Sequence, residues 1–230
     1  MIDGESIIFR GVSVKRGDTT ALKNINLKLD QPRTGIIGNN GSGKSTLVRL
    51  INGLILPDEG EVEVFGLDSR RDSDKLPTLV GFIFQNPDHQ LIFPTVIEEL
   101  SFGLTQMGIG QKEADERSLR ILSEHGMGEI RNRPVHYLSE GQKQLICIFA
   151  VLLMRPALII LDEPFSSLDL PTRKKIMDIL DAGGTRLVMV SHHFPVLETF
   201  DRVIWLHEGK VREEGTPREV IDSYTRFNGL

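Results

Sequence analysis

The stretch "GIIGNNGSGKST" carries glycines, a lysine and hydroxyls at the spacing needed to hold phosphate. Gly38, Gly41 and Gly43 permit backbone angles that turn successive N–H groups inward, and Asn39, Asn40 and Ser42 complete a loop of the form G-x-x-x-x-G-K-S ending at Ser45. The helix expected to follow brings its positive end to the same point, so the loop suits the β-phosphate of a nucleotide. Lys44 is expected to bridge the β- and γ-phosphates, Ser45 to offer its hydroxyl to Mg2+, and Thr46 to add a contact to the α-phosphate.

A metal and an attacking water need a second half-site. "ALIILDEP" supplies it, since an apolar strand that ends in Asp162 and Glu163 sets both carboxylates at the C-terminal sheet edge, where open α/β folds bind ligands. Asp162 is expected to hold Mg2+ through its water shell, leaving Glu163 as general base for the water. A third stretch, "LSEGQ" at 138–142, heads a segment that is apolar on nearly every side. The free N–H groups of such a helix start favour an anion. Ser139 and Gln142 also have the spacing of a capping box, and the two readings are compatible because a capped helix is a rigid mount.

These residues need strands and helices in alternation. Strands are predicted at "SIIFRGVSV", "LKNINLKL", "TGIIG", "EVEVFG", "LVGFIF", "ALIIL", "RLVMVS" and "RVIWL". The first, second and fourth alternate apolar with polar, as half-exposed antiparallel strands do, whereas "ALIIL" and "LVMV" are continuous, as buried parallel strands are. Between Gln85 and Pro156 the segments "TVIEELSFGL", "KEADERSLRILSEHG" and "GQKQLICIFAVLLM" read as helices. The expected fold is therefore α/β: a mostly parallel core sheet, an N-terminal antiparallel β layer, and a helical subdomain inserted at roughly 86–156. The whole of 1–230 reads as one domain with two lobes, without repeats or linkers.

The bulk composition sets limits. A net charge of −5 gives no general attraction to nucleic acid, and the basic "TRKK" at 172–175 reads as a solvated helix face. The single cysteine, Cys147, forms no internal disulfide and is expected in the core of a protein kept in a reducing compartment. The opening "MIDGESIIFR" lacks the basic start and apolar run of a signal peptide, and the apolar run from Leu145 to Met154 is too short to span a bilayer.

The order of these motifs resembles that of the ATP-binding subunit of ABC transporters, over essentially the whole chain. The resemblance makes Gln85 in "FIFQNPDHQ" the Q-loop glutamine, a catalytic residue and a contact of Mg2+. It makes "LSEGQ" the signature, "SSLD" the D-loop ending at Asp169, and His192 in "VMVSHH" the switch histidine. It implies two ATPase subunits, identical or different, closing head to tail, with Ser139, Gly141 and Gln142 of one meeting the ATP held by the other. Glu140 stands where this family usually has glycine; it is expected to point away from the nucleotide, with turnover surviving. Relatives place an aromatic on adenine where "VSVKRGDTTAL" has none; Arg16 either stacks on the base or is a plain solvent-facing turn residue.

"FQNPDHQ" further resembles energy-coupling factor (ECF) importers, whose ATPases drive a transmembrane T-component and a substrate-binding S-component. The likeness places that docking near Gln85 and Asp88, on the cytoplasmic face of the membrane, and implies no nucleic-acid partner. "EPFSSLDLPTR" and "FDRVIWLHEG" are most similar to the biotin branch, with cobalt, nickel or other vitamins as alternative cargo. Two other classes share the nucleotide motifs: soluble ABC-type ATPases of DNA repair or translation, and a subunit that binds ATP without turning it over.

Overall fold

The computed structural model describes residues 6–166 and 168–229, which fall into two compact units. Ser167, within "SSLD", lies outside the described residues.

The first unit comprises Met1–Val80, Ile160–Glu163 and Arg186–Leu230. Strands β1 (Ile7–Arg16), β2 (Thr19–Leu29), β4 (Glu59–Val64) and β5 (Leu67–Asp68) form a sheet in the order β2-β1-β4-β5, antiparallel throughout. Its register sets Phe9 opposite Leu27 on one side and Val62 on the other, so the alternating apolar residues of three strands share one buried face. The expected antiparallel layer is thus present.

A second sheet carries the chemistry. It is built from β3 (Arg33–Ile37), β8 (Arg186–Val190), β9 (Arg202–His207), β10 (Lys210–Gly215) and the end of β7 (Leu158–Asp162), in the order β10-β9-β3-β8-β7. β3 runs parallel to both β8 and β9, with Gly35 opposite Met189 and Val203, while β10 pairs antiparallel to β9. All of β7 and nearly all of β3 and β8 are buried, which is why these strands read as continuous apolar runs. Helices α1 (Lys44–Ile51), α2 (Leu76–Leu79), α7 (Phe194–Leu197) and α8 (Pro217–Asn228) complete the unit. α8 starts at a capping box between Thr216 and Glu219 with Pro217 at its first turn, and ends at Gly229.

The second unit comprises Gly81–Ile159 and Pro164–Thr185. The expected helical stretch 86–156 lies inside it. β6 (Val80–Ile83) enters it beside the start of β7, and four helices follow: α3 (Val96–Gln106), α4 (Gln111–Glu124), α5 (Glu140–Leu153) and α6 (Leu170–Gly183). α5 is the central one. It buries Leu145, Ile146, Cys147, Ile148 and Phe149, and truncating a fully buried Ile146 or Phe149 to alanine costs about 2–5 kcal/mol. Beside it, the buried Glu99 of α3 accepts the N–H groups of Ile92 at 2.9 Å and Phe93 at 2.8 Å, and burial pushes its carboxyl above the usual range. α6 carries "TRKK", with Lys174 and Lys175 exposed. Among the described residues no helix is long and apolar enough to cross a membrane.

Candidate functional site

β3 ends at Ile37, the loop 38–43 turns the chain, and α1 begins at Lys44. Two glycines of the loop are required by contact. A Cβ on Gly38 would stand 2.1 Å from the Leu206 carbonyl oxygen, and one on Gly43 would stand 2.6 Å from that of Ala21. Both have positive φ, 146° and 102°, so a side chain would be strained as well as crowded. The loop is closed on itself by the Ser42 N–H donating to the Asn39 carbonyl at 3.1 Å. It is anchored from behind by Gly209, whose N–H donates to the Ser42 carbonyl at 3.1 Å.

Lys44 is buried at the base of this loop. Its ammonium donates to the carbonyls of Gly38 at 2.6 Å and Asn39 at 3.2 Å. Burial lowers its pKa, while the carboxylates of Glu163 and Asp162 pull the other way. Ser42 lies 4% exposed with no hydrogen-bond partner for its hydroxyl among the described residues. An orphaned hydroxyl on a glycine loop matches a phosphate oxygen. Asn40 and Gly41 are exposed on the loop, and Thr46 is half-buried in the first turn of α1.

The strand ending in two carboxylates stands next to it. Ser45 Oγ donates to Asp162 Oδ1 at 3.0 Å, and Arg49 of α1 comes within 3.9 Å of Asp162 Oδ2. Burial raises the Asp162 pKa; the Ser45 hydrogen bond and the Arg49 charge oppose that rise. A hydroxyl and a carboxylate oxygen in contact are the hard-oxygen donor pair Mg2+ takes when phosphates supply more of its shell. Among the described residues no group of three or more His, Cys, Asp or Glu side chains is placed to hold a metal by itself.

Glu163 has a feature that the sequence does not announce. Its φ is +51°, and its N–H donates to the Val190 carbonyl at 2.9 Å. A non-glycine residue in this region is strained by about 1–3 kcal/mol, and such strain gathers at functional positions. The turn aims the carboxylate at His192, whose Nε2 lies 3.4 Å from Glu163 Oε1. Burial and then the Lys44 charge lower the His192 pKa, with Glu163 opposing. Lys44, Ser45, Asp162, Glu163 and His192 are therefore gathered in the first unit. Arg16 stands exposed at the end of β1, opposite Thr19 of β2, its side chain without an ion pair or hydrogen bond among the described residues.

The remaining site residues belong to the second unit. Ser139 and Gln142 form the capping box of α5: the Gln142 N–H donates to Ser139 Oγ at 3.3 Å, and the Ser139 N–H donates to Gln142 Oε1 at 3.0 Å. Gly141 lies in the first turn, beside Thr172. Asp169 caps α6 by accepting the Thr172 N–H at 3.0 Å, and the hydrogen bond from the Thr172 side chain, then that from its N–H, holds the Asp169 carboxyl below the usual range. Gln85 is exposed just after β6. Asp88 accepts from Lys143 Nζ at 2.7 Å, and the same ammonium donates to Glu140 Oε1 at 3.2 Å. A cavity of about 250 Å³ is lined by Gln85, Asp88, Glu140 and Gln144 among others. Nothing in the sequence marks Lys143, because a lysine one turn into an apolar helix belongs to no motif.

A strand, a glycine loop and a helix that cradle phosphate, beside a strand ending in two carboxylates, define a P-loop nucleotide-binding protein. The sequence profile of the ABC transporter family matches residues 22–166, and the chain belongs to that family. It is 41% identical over 213 residues to the biotin transport ATP-binding protein BioM of Rhodobacter capsulatus, covering 93% of this chain and 91% of that one. It is 35% identical to the energy-coupling factor transporter ATP-binding protein EcfA1 of Clostridium novyi, over 97% of this chain and 82% of that one. Among solved structures, the ATP-binding cassette MJ0796 in a dimeric post-hydrolysis state bound to ADP and Pi superposes with a TM-score of 0.81. The identity there is 30%, and the match covers 92% of this chain and 99% of that one.

Proposed function

We propose that this chain is the ATP-hydrolysing subunit of an ECF importer, working as a dimer of cassettes on the cytoplasmic face of the membrane to drive uptake of a vitamin, biotin first. The observation that carries the catalytic part is the pairing of two contacts in one unit: Ser45 to Asp162 at 3.0 Å and Glu163 to His192 at 3.4 Å. The likeness to BioM and EcfA1 supports the transport part and the choice of cargo.

ATP lies with its β-phosphate on the N–H groups of 38–43, its γ-phosphate toward Lys44 and its α-phosphate at Thr46. Lys44 exchanges the carbonyls of Gly38 and Asn39 for phosphate oxygens. Ser45 and Asp162 would hold Mg2+, which when bound neutralises charge on the β- and γ-phosphates. Glu163 accepts a proton from water as the water oxygen bonds to the γ-phosphorus; the bond from that phosphorus to the β–γ bridging oxygen breaks, releasing ADP and phosphate. His192, neutral beside that carboxylate, orients it and the γ-phosphate. Ser139, Gly141 and Gln142 of the second subunit close over the triphosphate, with the positive end of α5 toward it, and Asp169 joins from the same subunit. Arg16 lies flat on the adenine. Gln85 and Asp88 pass closure to the T-component, which carries the S-component.

The test is ATP hydrolysis by the purified subunit, alone and copurified with its membrane components in vesicles, alongside uptake of biotin against Co2+ and Ni2+. Hydrolysis that rises with the membrane components and biotin uptake that needs ATP support the reading. A subunit that never hydrolyses ATP, even when assembled, removes it.

A further inference from the structure

The side chain of Asn39, second residue of the phosphate loop, is held by two residues of the last helix. Tyr224 Oη lies 2.6 Å from Asn39 Oδ1, and Asn39 Nδ2 lies 3.1 Å from Asn228 Oδ1. A third bond fixes the polarity of both: Asn228 Nδ2 donates to the Tyr224 carbonyl at 2.8 Å. Asn228 Oδ1 is therefore the acceptor, so Asn39 must present Nδ2 to Asn228 and Oδ1 to Tyr224, and the tyrosine hydroxyl must donate. The three bonds close a ring with one consistent direction.

Tyr224 is itself immobilised. It is 5% exposed, with its ring edge-on to Trp205 at 5.4 Å and to Phe194 at 5.8 Å. Trp205 and Phe227 further share the Arg212 guanidinium, 4.7 Å and 4.1 Å from the two rings. Asn39, by contrast, is exposed. Its carbonyl accepts from both Lys44 and Ser42. The residue gripped by α8 is thus also the one on which the loop lysine rests.

We propose that Tyr224 and Asn228 are positioning residues for the phosphate loop: by fixing Asn39 they hold the loop backbone in its phosphate-ready shape and so raise affinity for a nucleoside triphosphate. This rests on the nucleotide reading of the loop and adds to it a determinant 185 residues away in sequence. A loop already ordered loses less freedom when the ligand arrives, so the effect belongs to binding.

The experiment measures equilibrium binding of trinitrophenyl-ATP to the purified subunit, with KM and kcat for ATP in parallel. Tyr224→Phe keeps the ring contacts and removes only the donor, and Asn228→Ala removes the second grip. Each is expected to raise Kd about fivefold, the effect of one hydrogen bond, with the loss falling in KM rather than kcat. Tyr224→Phe combined with Asn39→Ala should bind no more weakly than Asn39→Ala alone, because both cut the same link. Kd within about twofold of wild type in both single variants, or effects that multiply in the double variant, overturns the proposal. A purely structural role would lower the melting temperature and leave Kd in place. If Tyr224→Phe does not fold, Asn228→Ala decides alone. Wild-type protein that fails to bind the probe would instead overturn the nucleotide reading itself.

Discussion

His192 Nε2 lies 3.4 Å from Glu163 Oε1, and the backbone of Glu163 is bent into the left-handed region to bring the two together. A carboxylate fixed this way beside a neutral ring is suited to take a proton from water, and its amide isostere is not. Glu163→Gln is expected to lower kcat by about 10²–10⁴-fold while leaving ATP binding intact. Gel filtration of this variant with ATP should then show a lasting dimer. A variant that turns over ATP at the wild-type rate would remove Glu163 from the role of base.

The same contact sets a pH dependence. Burial places the folded-state pKa of His192 below its ordinary 6.5. Between the two values the folded protein binds fewer protons than the unfolded chain, so stability rises with pH there and is lost as pH falls through the folded value. The acid limb of kcat/KM should accordingly have its midpoint below 6.5. His192→Asn should abolish that limb and flatten the melting temperature across the same window, which a pH series of both proteins measures.

Glu140 is turned to Lys143 and not left free at the helix mouth. Lys143 is nearly buried, and its hydrogen bond to Asp88, then that to Glu140, hold its pKa above the ordinary value. With its charge shared this way, Glu140 should neither repel the triphosphate nor be needed for it. Glu140→Gly is expected to change kcat/KM by no more than about fivefold, the scale of a first-turn charge on a helix dipole. A gain of orders of magnitude would mean that the carboxylate faces the nucleotide.

The loop 38–45, the pair Asp162–Glu163 and the capping box of α5 were legible in the sequence because each is written in adjacent residues: a glycine spacing, an apolar run that stops at two acids, a serine three before a glutamine. The three expected helices 95–104, 112–126 and 141–154 likewise correspond to α3, α4 and α5. β10 carries no strand signal in the sequence because "KVREEG" is a polar edge strand, paired on one side only. In the sequence α6 shows only as a basic face and α8 leaves no helix signal, because their apolar sides are narrow, with Ile176 and Leu180 buried on one and Val220, Ile221 and Tyr224 on the other. Contacts made by distant residues left no local trace. Lys143 reaches Asp88 across 55 positions, and the positive φ of Glu163 follows from its hydrogen bond to β8, not from its own preference.

Asp162 tests the metal half-site through stability and not only through activity. The residue is 4% exposed and burial raises its pKa, so without a cation the charged form is disfavoured in the folded state. The folded protein then binds more protons than the unfolded chain around that pKa, and stability from this group grows as pH falls through it. Asp162→Asn keeps the shape and an acceptor for Ser45 but removes the buried charge. In EDTA the variant should melt at or above the wild-type temperature. Adding ATP with Mg2+ should stabilise wild type by about 2.7 kcal/mol when nucleotide is a hundredfold above Kd, and the variant by much less. ATP with EDTA should treat the two proteins alike. A variant that melts below wild type in EDTA would show that the carboxylate serves the fold, and equal stabilisation by ATP with Mg2+ would take Asp162 out of the metal site.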